Sequence, residues 1–281
     1  MNSFLLAFLA LLLLYGALCF LIYRLQEKRI FQPGRLPKDV DLGISAPHKE
    51  RWISVADGSA LNAVHLRVDS PKGLILYHHG NSGDLSEWKN VASLLLPYGY
   101  DVLVYDYRGY GKSPGRIENE DQLLQDGQKV YEAMAEEYGE NRILLYGRSL
   151  GTGIASYLAA FNRPASLLLE SPFYSMRELV FQYYPWIPLP LILKYPLRND
   201  RYLESVECPI HIFHGDRDGV IDHRSTLKLK KLLKEGDCFY TIKGGHHADL
   251  SEFQEYHEAL KVALTNYSGG GDQTGKVRSA S

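Results

Sequence analysis

The sequence predicts an α/β fold with a mostly parallel central sheet flanked by helices, preceded by one N-terminal transmembrane helix. Three observations carry that prediction. Continuous apolar runs of strand length recur along the chain, as expected of strands buried on both faces. Amphipathic patterns of helical period separate them, and such alternation marks the α/β class. The first 23 residues contain no charged side chain, although 23% of the 281-residue chain is charged. The remainder is long enough to bury one sizeable core. With 45% hydrophobic residues the chain is too apolar for general disorder. A formal net charge of -2 leaves no basic stripe, so no nucleic-acid partner is expected. Cys19, Cys208 and Cys238 have no paired spacing of the kind that marks a disulfide framework or a zinc ribbon.

Phe4 to Tyr23 reads FLLAFLALLLLYGALCFLIY. A helix of that length rises about 30 Å, the thickness of a bilayer's hydrocarbon core. A cleavable signal peptide is the competing reading, but Met1-Asn2-Ser3 is no basic n-region and no small-x-small site closes the run. Leu18, directly before Cys19, speaks against a lipoprotein site. Residues 4–23 are therefore expected to be an uncleaved anchor and 24–47 a juxtamembrane linker. Arg24, Lys28, Arg29, Arg35 and Lys38 follow the span and none precedes it, which predicts a single-pass protein with its body in the cytoplasm.

The body is expected over 48–267. Arg51 to Val55, Asp57-Gly58 and Leu61 to Val68 read as strand, tight turn and strand. Further strands are expected at Gly73 to Tyr77, Tyr100 to Tyr105, Ile143 to Tyr146, Ser166 to Leu169, Ile210 to Phe213 and Phe239 to Ile242. Amphipathic helices are expected at Glu118 to Tyr138, Gly151 to Phe161, Asp222 to Lys234 and Ser251 to Tyr267. Within an insertion around 172–202, LVFQYYPWIPLPLIL (Leu179 to Leu193) contains three prolines and cannot be one regular helix. It reads either as an irregular connection over the core or as a lid over a cleft. Residues 268–281, SGGGDQTGKVRSAS, read as a flexible tail. No internal repeat is present.

The chemistry concentrates at ILLYGRSLGTG, Ile143 to Gly153. Gly147-Arg148-Ser149-Leu150-Gly151 matches G-x-S-x-G between an apolar strand and a helix. That context holds a nucleophilic serine on a sharp strained turn, with glycines letting strand and helix approach. A serine hydroxyl is a weak nucleophile at neutral pH, so an acid and a base must follow. Asp216, Asp218 and Asp222 crowd the loop after one strand, and His246-His247 follow another. The order Ser, Asp, His is present, while spacing alone leaves the choice among three carboxylates and two histidines open.

HHGNSGD (78–84), YDYRGYGKSPG (105–115), GRSLGTG (147–153), ESPF (170–173), HGDRDGVID (214–222) and GGHHADL (244–250) together resemble the α/β-hydrolase superfamily. The resemblance is closest to its membrane-anchored serine hydrolases, and it covers nearly the whole body. It implies Asp218 as the triad acid, with Asp222 where relatives carry proline, and His246 as the base, since the base follows a glycine. It also implies acyl-proteins or lysolipids as substrates. His246 would then take the Ser149 proton while Asp218 holds the imidazole tautomer. Asp216 is expected to order its loop through backbone hydrogen bonds, and Glu170 stands as the reserve acid.

An oxyanion hole needs two backbone N–H donors. Leu150, the residue after the nucleophile, supplies one by position. Asn81, in the element resembling the family's HGN, supplies the second, with Gly80 permitting the turn. His78 and His79 read as loop-ordering residues, and no ligand set has metal-site spacing. No cofactor is expected. Gly109 to Ser113 ends like a phosphate-binding loop, but Asp106 stands where its first glycine is required. Gly151-Thr152-Gly153 lacks the third glycine of a dinucleotide fingerprint, since Ser156 occupies it. Arg108 reads as structural. The expected function is a membrane-anchored serine hydrolase that cleaves ester or thioester bonds of acyl or lipid substrates through an acyl-enzyme. The alternatives are an aminopeptidase-like hydrolase and a non-catalytic scaffold.

Overall fold

The computed structural model describes residues 3–265, and the tail expected at 268–281 lies outside the described residues. In chain order the strands are β1 (Gln32–Pro33), β2 (His48–Ser54), β3 (Ala60–Leu66), β4 (Leu74–His78), β5 (Ser82–Gly83), β6 (Asp101–Tyr105), β7 (Ile143–Arg148), β8 (Ser166–Glu170), β9 (Ile210–Gly215) and β10 (Cys238–Ile242). The helices are α1 (Ser3–Ile30), α2 (Leu85–Ser93), α3 (Glu120–Tyr138), α4 (Gly151–Phe161), α5 (Met176–Tyr183), α6 (Leu189–Ile192), α7 (Asn199–Tyr202), α8 (His223–Thr226) and α9 (Gln254–Thr265).

Eight strands form one sheet in the order β10-β9-β8-β7-β4-β6-β3-β2. Its pairings are parallel except those of β3, which runs antiparallel to β2 and β6. Alternation along each strand explains why the runs are apolar throughout. Leu74 and Leu76 enter the core beneath α3 and α4, whereas Ile75 and Tyr77 enter the one beneath α2 and α9. Both faces are dry, so every residue of β4 is buried.

Besides α5, α6 and α7, which fall within the insertion, two helices of the body differ from expectation. α2 has no counterpart in the predicted elements, because its cap, Asp84, lies inside the HHGNSGD stretch and reads as loop. Its side chain accepts from Ser86 N (2.8 Å) and starts the helix. The single helix expected over Asp222 to Lys234 is instead α8 followed by a 3-10 turn, Leu229–Leu232. Thr226 Oγ1 is drawn to Pro172 O (2.7 Å) and Ser225 to Glu178, which ties this stretch to the insertion.

α1 is longer than the expected 20-residue span. At 28 residues it rises about 42 Å, and the mean hydropathy of its most apolar 18 residues is 2.8. Nearly all its large apolar side chains are exposed. The segment expected as a linker carries the last turns of α1 and then pairs with the body, β1 lying parallel to β5. Phe31 is buried edge-on to Tyr195, with ring centroids 4.9 Å apart.

Candidate active site

Parallel strands deliver their following loops to one edge of the sheet, and all the candidate residues lie there. β7 hands the chain to α4 through Ser149, whose φ of +50° is left-handed. That conformation costs on the order of 1–3 kcal/mol for a non-glycine residue. The flanking glycines permit it. A Cβ on Gly147 would sit 2.6 Å from Gly151 O, and one on Gly151 would sit 2.0 Å from His78 O. Ser149 N donates to Glu170 O (2.9 Å), which holds the turn against β8.

β9 ends at Gly215, and its loop aims Asp218 inward. Oδ1 accepts from Val220 N and Ile221 N, each at 2.8 Å. Oδ2 accepts from His247 Nδ1 at 2.8 Å, and His247 Nε2 lies 3.0 Å from Ser149 Oγ. A hydroxyl, an imidazole and a carboxylate are thus brought into line by the loops after β7, β10 and β9. Burial pushes the Asp218 carboxyl up, but the hydrogen bond and charge of His247 and the two backbone N–H groups outweigh it and hold the group below its ordinary range. His214 supports the same carboxylate from β9. Its Nε2–H donates to Ile221 O (3.0 Å) and lies 3.4 Å from Asp218 Oδ2.

The expectation for the base is corrected by one residue. His246 turns away from Ser149 and closes a local ring with Asp249, which accepts from His246 N (2.6 Å) and Nδ1 (2.9 Å). The left-handed Gly244 (φ +78°) and this ring set the turn, so the next residue, His247, enters the cleft. Among the other carboxylates, Asp216 accepts from Gly244 N (2.7 Å) and joins the acid and base loops. Asp222 caps α8 by accepting from Arg224 N (2.8 Å).

Glu170, the reserve acid, is committed elsewhere. Arg148 Nε binds it at 3.1 Å and Tyr256 OH at 3.0 Å, and Tyr146 OH also donates to it. Arg148 further donates to Ala248 O (3.2 Å), beside His247, and stacks over Trp88 at 5.2 Å. This brace under the elbow was not anticipated, since an arginine at the variable position of G-x-S-x-G carries no signal of its own. Arg108 is structural as expected, gripping Asp126 (2.6 Å) and Asp57 (2.7 Å).

The loop after β4 crosses Ser149. A Cβ on Gly80 would meet Trp88 Cη2 at 3.2 Å and Ser149 Cβ at 3.9 Å. Asn81 O accepts from Gln32 N (2.8 Å) and Tyr110 OH (2.7 Å), and its Nδ2 donates to Ile30 O (3.1 Å). His78 shares a hydrogen bond with Tyr105 OH (3.0 Å), and His79 Nδ1–H donates to Gly80 O (2.7 Å). Burial lowers their pKa values to about 3 and about 4, so both stay neutral. Beneath them Asp106 is pushed up to about 8, chiefly by burial.

A family model described as "Serine aminopeptidase, S33" matches residues 69–199. Uncharacterized protein Rv2307c of Mycobacterium tuberculosis is 29% identical over 232 residues, which cover 81% of this chain and 82% of that protein. Lysophosphatidylserine lipase ABHD12 of Xenopus tropicalis is 33% identical over 212 residues, 68% of this chain. The match spans only 55% of that lipase. Among solved structures, the Pyrococcus furiosus esterase Pf2001 superposes with a TM-score of 0.69 at 19% identity, covering 85% of this chain and 98% of the esterase. That likeness concerns the fold.

Proposed function

This chain belongs to the α/β-hydrolase superfamily, and from that premise we propose that it is a membrane-anchored serine hydrolase cleaving carboxylic ester or thioester bonds of acyl or lipid substrates. The observation that carries the reading is the relay from Ser149 Oγ through His247, 3.0 Å on one side, to Asp218, 2.8 Å on the other. His247 takes the Ser149 proton as Oγ attacks the acyl carbon, and returns it to the leaving alkoxide or thiolate. Water, activated by the same imidazole, then hydrolyses the acyl-enzyme. Asp218 fixes the tautomer with the proton on Nδ1 and stabilises the imidazolium. The developing oxyanion is received by the N–H groups of Leu150 and Asn81, neither of which donates to another group among the described residues. Such donors contribute about 3–4 kcal/mol each in comparable sites.

α1 serves as the anchor in this reading, and a cytoplasmic body is supported by the cations from Arg24 to Lys38 that follow the apolar run. Labelling of a cysteine engineered near residue 265 by an impermeant reagent added from outside would refute that orientation. The lipid character of the substrate is supported by the lysophosphatidylserine lipases among the relatives and by the apolar span itself. The matched family description favours a second reading, an aminopeptidase.

Labelling of the purified protein with a fluorophosphonate tests the nucleophile. The wild type is expected to label and Ser149→Ala to fail, whereas equal labelling of both would remove Ser149 from the mechanism. Side-by-side turnover of p-nitrophenyl acyl esters and aminoacyl p-nitroanilides then separates the two hydrolase readings, since an aminopeptidase would cleave anilides with a free amino group that an esterase leaves intact.

A further inference from the structure

A tether needs only to hold a protein at a membrane, yet the last turns of α1 are built into the body. Gln26, itself buried, donates from Nε2 to Ile192 O (2.8 Å) and accepts at Oε1 from Lys194 N (2.9 Å). Glu27 pairs with Lys194 at 2.6 Å, and higher on the helix Tyr15 OH donates to Trp186 O at 2.8 Å. Between α1 and the α5–α6 segment these ties enclose an apolar groove of about 390 Å³. Its walls include Leu18, Ile22 and Leu25 on one side and Val180, Ile187 and Ile192 on the other. The volume falls within the range of roughly 300–1,000 Å³ typical of small-molecule sites.

Four features identify the occupant. The upper α1 wall, Leu18 to Leu25, continues the apolar run, so the groove opens there onto the lipid-facing surface, and it follows roughly 18 Å of helix axis down to Arg29 and Ile30. The backbone groups of its far wall at Trp186, Ile192 and Lys194 are already paired with α1 side chains, which leaves little for water and suits hydrocarbon. The elements that form both walls are hydrogen-bonded to loops of the candidate active site. Ile30 O accepts from Asn81 Nδ2 (3.1 Å), in the loop that crosses Ser149. On the opposite wall, Tyr183 of α5 donates its OH to Val220 O (2.8 Å) in the Asp218 loop. Exposed Phe181, Tyr183, Tyr184 and Trp186 supply the aromatic rings that settle at a membrane interface.

We propose that this groove receives the acyl chain of a bilayer lipid ester, taken laterally from the leaflet along α1, so that the anchor is a wall of the acyl-binding site as well as a tether. The catalytic consequence rests on the serine-hydrolase reading, whereas the binding of the chain does not. Full-length Ser149→Ala protein in dodecyl maltoside micelles is irradiated with a diazirine-bearing palmitic acid. Cross-links are expected on peptides from both walls, within residues 18–30 and 180–193. Ile22→Trp, or Val180→Trp from the opposite wall should the first variant fail to fold, fills the groove. In the Ser149 enzyme either is expected to lower the ratio of kcat/KM on p-nitrophenyl palmitate to that on p-nitrophenyl acetate by roughly tenfold or more. Leu13→Trp, on an exposed part of α1 outside the groove, is expected to keep the wild-type ratio. Cross-links confined to α1, or an unchanged ratio in the groove variants, would each overturn the proposal. Cross-linking to both walls in a protein whose wild type resists fluorophosphonate would refute the hydrolase reading and leave the acyl groove standing.

Discussion

The Ser149 corner and the α1 corner of this molecule are assembled by different physics. The first is set by sheet register. Three neighbouring parallel strands, with β10 beside them, deliver Ser149, Asp218 and His247 to one edge, and most of the polar atoms there have partners. The second is an apolar contact between an exposed helix and a proline-broken segment, held by a few side-chain ties such as those of Gln26 and Tyr15. Proton transfer tolerates displacements of a few tenths of an ångström, so its groups sit on strand ends. A hydrocarbon chain has no directional contacts and can be held by a looser wall.

The largest effect should come from exchanging the adjacent histidines. His247→Ala is expected to lower kcat on an activated ester by about 10⁴-fold or more, and Asp218→Asn by about 10⁴-fold through the wrong tautomer. His246→Ala loses the Nδ1 bond to Asp249 but keeps the backbone N–H bond that holds the turn, and it should stay within about threefold of wild type because His246 touches no reacting atom. The reverse order in steady-state kinetics would mean that the base loop is registered one residue away from the arrangement described.

The brace beneath the elbow should show next, as stability rather than chemistry alone. Arg148→Met strands the buried Glu170 carboxylate, and removing one partner of a buried pair costs about 3–5 kcal/mol. Thermal melting should fall markedly, and the double variant Arg148→Met/Glu170→Gln should recover much of the loss. A single variant that melts like wild type would show that the network does not load the elbow.

Asp106, under the loop that crosses Ser149, carries a pH signature. Its folded pKa is raised to about 8 by burial, against about 4 in an unfolded chain. Between those values the folded protein keeps a proton that the unfolded chain has released. The group's stabilising contribution is therefore full below pH ~4 and declines as pH rises, by at most about 1.4 kcal/mol per unit, until pH ~8. Asp106→Asn should flatten the denaturant-midpoint profile across that window. Parallel profiles for the two proteins would rule out Asp106 as the cause.

What could be read from sequence divides along the same line. Ser149 was legible because its pentapeptide sits between an apolar strand and a helix, a local arrangement. Asp218 stood out from Asp216 and Asp222 only through the family resemblance, since all three share one loop. The choice between His246 and His247 depends on a turn whose determinant, Asp249, lies three residues on and captures the first histidine. A carboxylate at that spacing was the available sign. The docking of α1 had no local sign, because Tyr15 and Gln26 meet partners 171 and 166 residues away. The apolar run of α1 outlined a span and gave no indication that its last turns, with Gln26 buried, would join the body.

Gln26 also supplies the smallest and most selective perturbation. Gln26→Leu keeps the helix and much of the side-chain volume but removes the donor to Ile192 O and the acceptor for Lys194 N. Each hydrogen bond contributes about 0.5–1.5 kcal/mol net, so the loss should be on the order of 1–3 kcal/mol. Because the ties are confined to the α1 wall, that loss should appear as faster hydrogen exchange in residues 186–194 and at the end of α1, while β7 and β9 keep their protection. Exchange that rises equally in β7 would mean that the two corners open as one unit, and the contrast between a register-built site and a loosely tied wall would fail.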